Sequence, residues 1–307
     1  MNNSLFRGEF VALEALAGMS HPPPLTGVRS TAFCSNPCHG LNLVSCGSSH
    51  YVCNPITGSY QCILSRTASG VVVGAGHIGL GYDPVAEKHM LVRLAYGESR
   101  SECKVRYVGD GHYSWCAIDS PPPRQVDGAA PPVFANGRLY WMADSNAEPR
   151  SPRCEIMAFD VLTASFEVLQ GPPCGDLVDD DGERAVSSVL ELRGELRVAR
   201  SNRDANSIEV WAMKDRSVWS LEYRIELERF SPEYSAVETT ALAVDPEDGR
   251  ILLSTKMLST GRVLGYYNTS TAAVETIYRL GPVPSGHGTG YKFTPALCHE
   301  SLVCPFD

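Results

Sequence analysis

Long apolar runs are missing from this 307-residue chain. A helix needs about 18 consecutive apolar residues to cross a bilayer, and no such stretch occurs, so no membrane span is expected. Glu9 and Glu14 interrupt the one apolar stretch near the start, which argues against a secretory signal. Positive charge is short as well: 26 Lys and Arg stand against 35 Asp and Glu, a net charge of −9, and the basic residues occur singly. Nucleic acids and anionic membrane surfaces call for clustered positive charge, so neither is expected as a partner. The 11 cysteines include no C-x-x-C pair; Cys34 and Cys38, or Cys298 and Cys304, are spaced too widely. An odd count in a chain too long to need staples fits reduced, mostly buried thiols and a cytoplasmic or nuclear location. Asn268, in N-T-S, then carries no glycan.

Long segments with a 3.6-residue apolar period are also absent, which excludes the helices of βαβ units. What the chain does contain is short strand-like runs divided by turn signals. YVCNPITGSYQCI (51–63) turns at Asn54-Pro55, GLGYDPVAEKHMLVRL (79–94) at Asp83-Pro84, EIMAFDVLTASFEVL (155–169) at Asp160, ALAVDPEDGRILLST (241–255) at Asp245-Pro246 and VLGYYNTSTAAVETI (263–277) at Asn268. Asp and Asn suit these corners because the side-chain oxygen can accept from backbone N–H groups two or three residues on, and Pro presets φ. VFANGRLYW (133–141) turns on Asn136-Gly137 and VLELRGELRV (189–198) on Gly194. The hairpins group into units at 40–64, 77–118, 131–169, 185–227 and 238–280, the spacing of four-stranded propeller blades. The expected fold is all-β, a kelch-like β-propeller of five to six blades. Trp115, Trp141, Trp211 and Trp219 fall in or beside strands and are expected to pack between blades. The tail at 291–303 is strand-like and could pair with the first unit to close the ring.

One stretch points elsewhere. GVVVGAGHIGLGYDP (70–84) spaces Gly74, Gly76 and Gly79 as G-x-G-x-x-G, the fingerprint of a dinucleotide-binding turn. That turn needs a helix directly after the third glycine. Gly81, Asp83 and Pro84 follow within a few residues, and Pro84 would break such a helix. The glycines are better read as room for a strand in a crowded interior, and no cofactor is expected.

YVCNPITG (51–58), GLGYDP (79–84), PPVFANGRLYWM (131–142), IMAFDVLTASFEVL (156–169), VWAMKDRSVWSLEYRI (210–225), DGRILLST (248–255) and LGYYNTST (264–271) follow one another in an order that resembles the F-box associated, kelch-like propeller of plant-type F-box proteins. The resemblance runs from about residue 40 to the end and divides the chain into an extension, 1–39, partly disordered or the remnant of a first blade, and a propeller, 40–307. It implies a protein-binding module that presents a target protein for ubiquitin transfer. An F-box of three helices would grip the Skp adaptor of a cullin-based ligase. Residues 1–39 lack the leucine-proline start, the amphipathic periodicity and the Ser-Trp ending of an F-box, so Skp and cullin are implied only if an F-box is supplied elsewhere. A propeller enzyme with an axial site and a truncated receptor remain as alternatives.

No catalytic set stands out. His77, His89 and His112 have no Cys or carboxylate at metal-ligand spacing, and no metal is expected. C-G-S-S-H at 46–50 lacks the second glycine of a nucleophile elbow. His287, in SGHGTG, reads as part of a connector. Asp179, Asp180 and Asp181 run into Gly182 without the alternating ligands and twelfth-position Glu of a calcium loop. They read as a solvated inter-blade loop and, for a target with a basic stretch, as its expected contact. Recognition is expected on loops, the longest at 119–130, 145–153, 171–184, 200–206 and 228–237.

Overall fold

Strand after strand turns back on its predecessor, and each fourth strand ends a sheet. The computed structural model describes residues 31–33, 35–46, 49–64, 75–97, 100–109, 114–128, 130–147, 154–173, 187–215, 218–230, 232–245, 248–257, 261–280 and 301–305. The first sheet is β1 (Thr31–Phe33), β2 (Asn42–Cys46), β3 (Ser49–Cys53) and β4 (Tyr60–Leu64). The second is β5 (Ile78–Asp83), β6 (Lys88–Tyr96), β7 (Ser101–Tyr107) and β8 (Cys116–Ala117). The third is β9 (Val133–Ala135), β10 (Arg138–Met142), β11 (Glu155–Asp160) and β12 (Ser165–Gln170). The fourth is β13 (Ser187–Leu192), β14 (Glu195–Asn202), β15 (Ser207–Asp215) and β16 (Val218–Glu226). The fifth is β17 (Thr239–Val244), β18 (Ile251–Lys256), β19 (Arg262–Asn268) and β20 (Ala273–Leu280). Every sheet runs in chain order with antiparallel neighbours, and the five are the blades of a β-propeller. Helix among the described residues is limited to two short 3-10 turns, Ala75–His77 and Leu227–Phe230. β1 lies before residue 40, so residues 31–33 belong to a blade.

The hairpin corners are built as their residues dictate. Oδ1 of Asn54 accepts from the N–H groups of Ile56 and Thr57, Asp83 from Val85 and Ala86, Asp160 from Leu162 and Thr163, and Asn268 from Ser270 and Thr271, all at 2.9–3.3 Å. At 136–137 both residues have positive φ, 48° and 73°, the primed turn whose twist matches a hairpin and which Asn-Gly adopts at little cost.

The chain packs as two compact units, Met1–Asp144 with Met157–Val168 and Thr294–Asp307, and Ser145–Ile156 with Leu169–Phe293. In the first, Leu41, Leu43, Val52 and Ile63 of the first blade meet Ile78, Leu80 and Leu91 of the second. The opposite face of the second blade, with Met90, Val92 and Leu94, meets Leu139, Trp141, Met157 and Phe159 of the third. In the second unit, Leu190, Ile208, Val210 and Ile225 pack with Ala241, Ile251, Leu253 and Val263. Inner strands such as β6 and β11 are buried on both faces, as face-to-face sheets require, while β8, β12 and β16 are largely exposed or half-buried.

The glycine fingerprint resolves into packing. Gly74 lies outside the described residues. Gly76 sits in the 3-10 turn, and Gly79 lies within a strand rather than before a helix. A Cβ on Gly79 would lie 2.9 Å from Cζ2 of Trp141 and 3.2 Å from the Leu139 side chain, so this glycine lets β5 approach the third blade. Cys38, Cys53, Cys103 and Cys154 are buried and in no disulfide, whereas Cys62 and Cys116 are free and exposed. Burial pushes Cys53 and Cys103 up to about 12.

Candidate partner-binding face

Because each strand reverses the last, the first-to-second and third-to-fourth turns of a blade share one end of the sheet. In the first unit these turns form a connected strip. His39 stacks on Tyr82 with ring centroids 4.4 Å apart. A Cβ on Gly40 would overlap the Ser301 side chain, so the 301–305 stretch lies directly on this turn. Asn54 donates from Nδ2 to the carbonyl oxygens of Ser301 and Val303, at 2.9 and 2.8 Å. At the other side of Tyr82, a Cβ on Gly81 would stand 3.1 Å from Val161 and 3.2 Å from Phe134. The N–H of Val161 donates to Gly137 O at 3.1 Å, which joins the two turns of the third blade.

The corners that make this strip also turn aliphatic side chains into solvent. Where an Asx oxygen holds the N–H two residues on, the side chain at that position stands clear of the sheet. Ile56, Val85 and Leu162 occupy it and are 47%, 81% and 56% exposed; Leu302, on the stretch held by Asn54, is 87% exposed. Exposed aliphatics scattered singly are ordinary, but several on one connected strip mark a contact surface. The turn beneath is stiff. Tyr107 donates its hydroxyl to Asp83 Oδ2 at 2.6 Å, and this bond, with the Ala86 and Val85 N–H groups, holds the Asp83 carboxyl below the usual range. Arg138 binds both Asp160, at 3.2 Å, and Glu167, at 2.8 Å. Loops on such a scaffold meet a partner with little ordering cost.

Asp179, Asp180 and Asp181 lie outside the described residues, as do His112 and His287. His77 is half-buried against Tyr96, with ring centroids 5.4 Å apart, and desolvation lowers its pKa. His89 is buried with Nε2 3.0 Å from Cys38 O. Among the described residues, no three His, Cys, Asp or Glu side chains gather as a metal ion would require. Two of the loops expected at the surface are partly folded inward. Tyr234 and Ala236 of 228–237 are buried in the second unit, and Asn206 Oδ1 accepts the Ala236 N–H at 2.8 Å. Segment 119–130 is pinned by Val126, which bridges to Ala143, and by the Asp127 N–H donated to Met142 O at 2.9 Å. The aliphatic tips carry a signal in the sequence, an apolar residue two positions after Asn54, Asp83 and Asp160, which the corner at Asn268, with Ser270 in that place, lacks.

A family model described as the F-box associated beta propeller domain matches residues 19–281. Among curated proteins, one named for an F-box from Arabidopsis thaliana is 26% identical over 163 residues, 50% of this chain and 38% of the relative. Another from the same plant, named for an F-box and kelch repeats, is 23% identical over 203 residues, 62% of this chain and 42% of the relative. The chain thus spans less than half the length of either. Among solved structures, the β-propeller domain of the trilobed protease from Pyrococcus furiosus aligns with a TM-score of 0.42 and 15% identity, covering 80% of this chain and 71% of that one. No helix among the described residues is long and apolar enough to cross a membrane.

Proposed function

Because this chain belongs to the F-box associated beta propeller family, we propose that it recognises a target protein as the substrate-binding module of a Skp–cullin–F-box ubiquitin ligase, in the cytoplasm or nucleus. Docking to the Skp adaptor and cullin falls to an F-box, and the chemistry of ubiquitin transfer to the ligase; the propeller holds the target. The observation that carries this reading is the strip of Ile56, Val85, Leu162 and Leu302 on stiff Asx corners. It offers a partner apolar contacts on a pre-ordered surface, where a few buried anchors dominate binding. Asp179, Asp180 and Asp181 serve as a second contact for a basic stretch of the target, through long-range attraction that speeds encounter.

Affinity capture with the full chain from native extract tests this, followed by binding measurements with the purified captured protein. Replacing Val85, Leu162 and Leu302 together by Asp is expected to weaken that binding by about tenfold or more without unfolding the chain. Changing Asp179, Asp180 and Asp181 to Lys is expected to slow association and flatten its dependence on salt. Unchanged binding in both variants, or no specific protein captured at any salt concentration, contradicts the proposal.

A further inference from the structure

The seam between the first and second blades buries polar side-chain atoms that lack hydrogen-bond partners. Arg93 on β6 is 4% exposed and makes no ion pair among the described residues, the one carboxylate whose charge reaches it being Glu102, and a guanidinium so placed calls for a close counter-charge. Its Nη1 has no hydrogen-bond partner. Neither ring nitrogen of His50 has one, on β3 at 1% exposed, and neither does Nε1 of Trp115, each of these atoms being sealed from solvent. The three side chains are neighbours across the seam. The Arg93 guanidinium carbon lies 4.3 Å from the centre of the Trp115 ring, and the Arg93 charge reaches His50.

Register explains why they share one space. His50 pairs across β3 and β4 with Ile63, and Arg93 pairs across β5 and β6 with Ile78. Ile63 and Ile78 belong to the cluster that joins the two blades, so His50 and Arg93 stand on the two faces that meet there. The charged groups facing the same way from β7 are Glu102, Lys104 and Arg106; Lys104 takes up Glu102 at 3.1 Å. Glu102 thus shares its charge between Lys104 and Arg93. The Trp115 ring offsets the Arg93 charge only in part. A water molecule would answer the hydrogen bonds but not the charge.

We propose that this seam binds a small inorganic monoanion of the halide class, chloride in the cell, held by Nη1 of Arg93, Nε1 of Trp115 and a ring N–H of His50. The apolar residues of the same seam, Leu43, Val52, Ile63 and Ile78, are fully buried, and hydrocarbon surroundings favour a small, weakly hydrated monatomic ion over phosphate or a peptide carboxylate. Bound there, the ion ties the first blade to the second beneath the strip of exposed turns.

Thermal unfolding of the full chain at constant ionic strength tests the site, with sodium chloride or bromide compared against sodium gluconate. The midpoint is expected to rise by about 2–4 °C in halide, saturably with concentration. Arg93→Met is expected to abolish the difference. Should that variant fail to fold, anomalous diffraction from bromide-grown crystals of the unaltered chain decides, with a bromide expected in contact with Arg93 and Trp115. Equal midpoints in the two salts, or an ordered water between these side chains with no anomalous signal, overturns the proposal.

Discussion

Trp141 donates its indole N–H to the carbonyl oxygen of Gly76 at 3.0 Å, across the boundary between the second and third blades. The bond satisfies a buried donor and fixes where β5 begins. It also explains the glycines of the fingerprint, because the same ring occupies the space a side chain at Gly79 would need.

Overpacking that contact should therefore be costly. Gly79→Ala is expected to lower stability by about 1–3 kcal/mol by forcing the Trp141 ring from its place. Trp141→Phe, which leaves the Gly76 carbonyl without its donor, is expected to cost a similar about 1–3 kcal/mol. Urea denaturation measures both, and because the two residues touch, the double variant should lose less than the sum.

Asp83 joins its corner to Tyr107. A carboxyl whose folded pKa is depressed contributes stability that is present above its unfolded value of 3.8 and is lost as pH falls through the folded value. Asp83→Asn keeps an oxygen for the Val85 and Ala86 N–H groups but has no charge to protonate. Below about pH 4 its denaturation midpoint should fall less steeply than that of the unaltered chain. Asp83→Ala removes all three bonds and is expected to cost about 1–3 kcal/mol at neutral pH.

His50 gives a second pH dependence with a different window. Desolvation, reinforced by the Arg93 charge, lowers its pKa to about 4 from 6.5, so the folded chain holds it neutral where the unfolded chain protonates it. Stability is complete above pH 6.5 and falls as pH drops from there toward about 4, by up to about 3 kcal/mol. In halide-free buffer, His50→Gln should flatten that limb of the stability profile.

How much of this was legible in the sequence follows from the range of the interactions. Asn54, Asp83, Asp160 and Asn268 bond to N–H groups two and three residues away, so each corner is written locally, and the blade units could be read from 40–64 to 238–280 before any fold was known. The pairing of His50 with Arg93 and Trp115 depends instead on two blades meeting, and residues 43 and 65 positions apart carry no local trace of it. Segment 228–237 looked like a surface loop for a similar reason. Its polar residues are local, whereas the pocket that takes Tyr234 is built by the blade that follows. The candidate site falls between these cases: the turns are local, but that the corners at Asn54, Asp83 and Asp160 lift Ile56, Val85 and Leu162 onto one strip depends on how the blades meet.

Thiol reactivity separates buried from exposed cysteines. Cys62 and Cys116 should alkylate readily in the native chain at mildly alkaline pH, while Cys53 and Cys103, which burial holds at about 12, react only on unfolding. Peptide mass spectrometry after a timed iodoacetamide pulse reads the order directly.

Hydrogen–deuterium exchange of the chain with and without its captured target bears most directly on the idea that recognition rests on the strip of Asx corners. Added protection at 54–59, 83–87, 161–164 and 301–304 is the predicted result. Protection confined to other parts of the propeller, with these four segments exchanging as in the free chain, would contradict it.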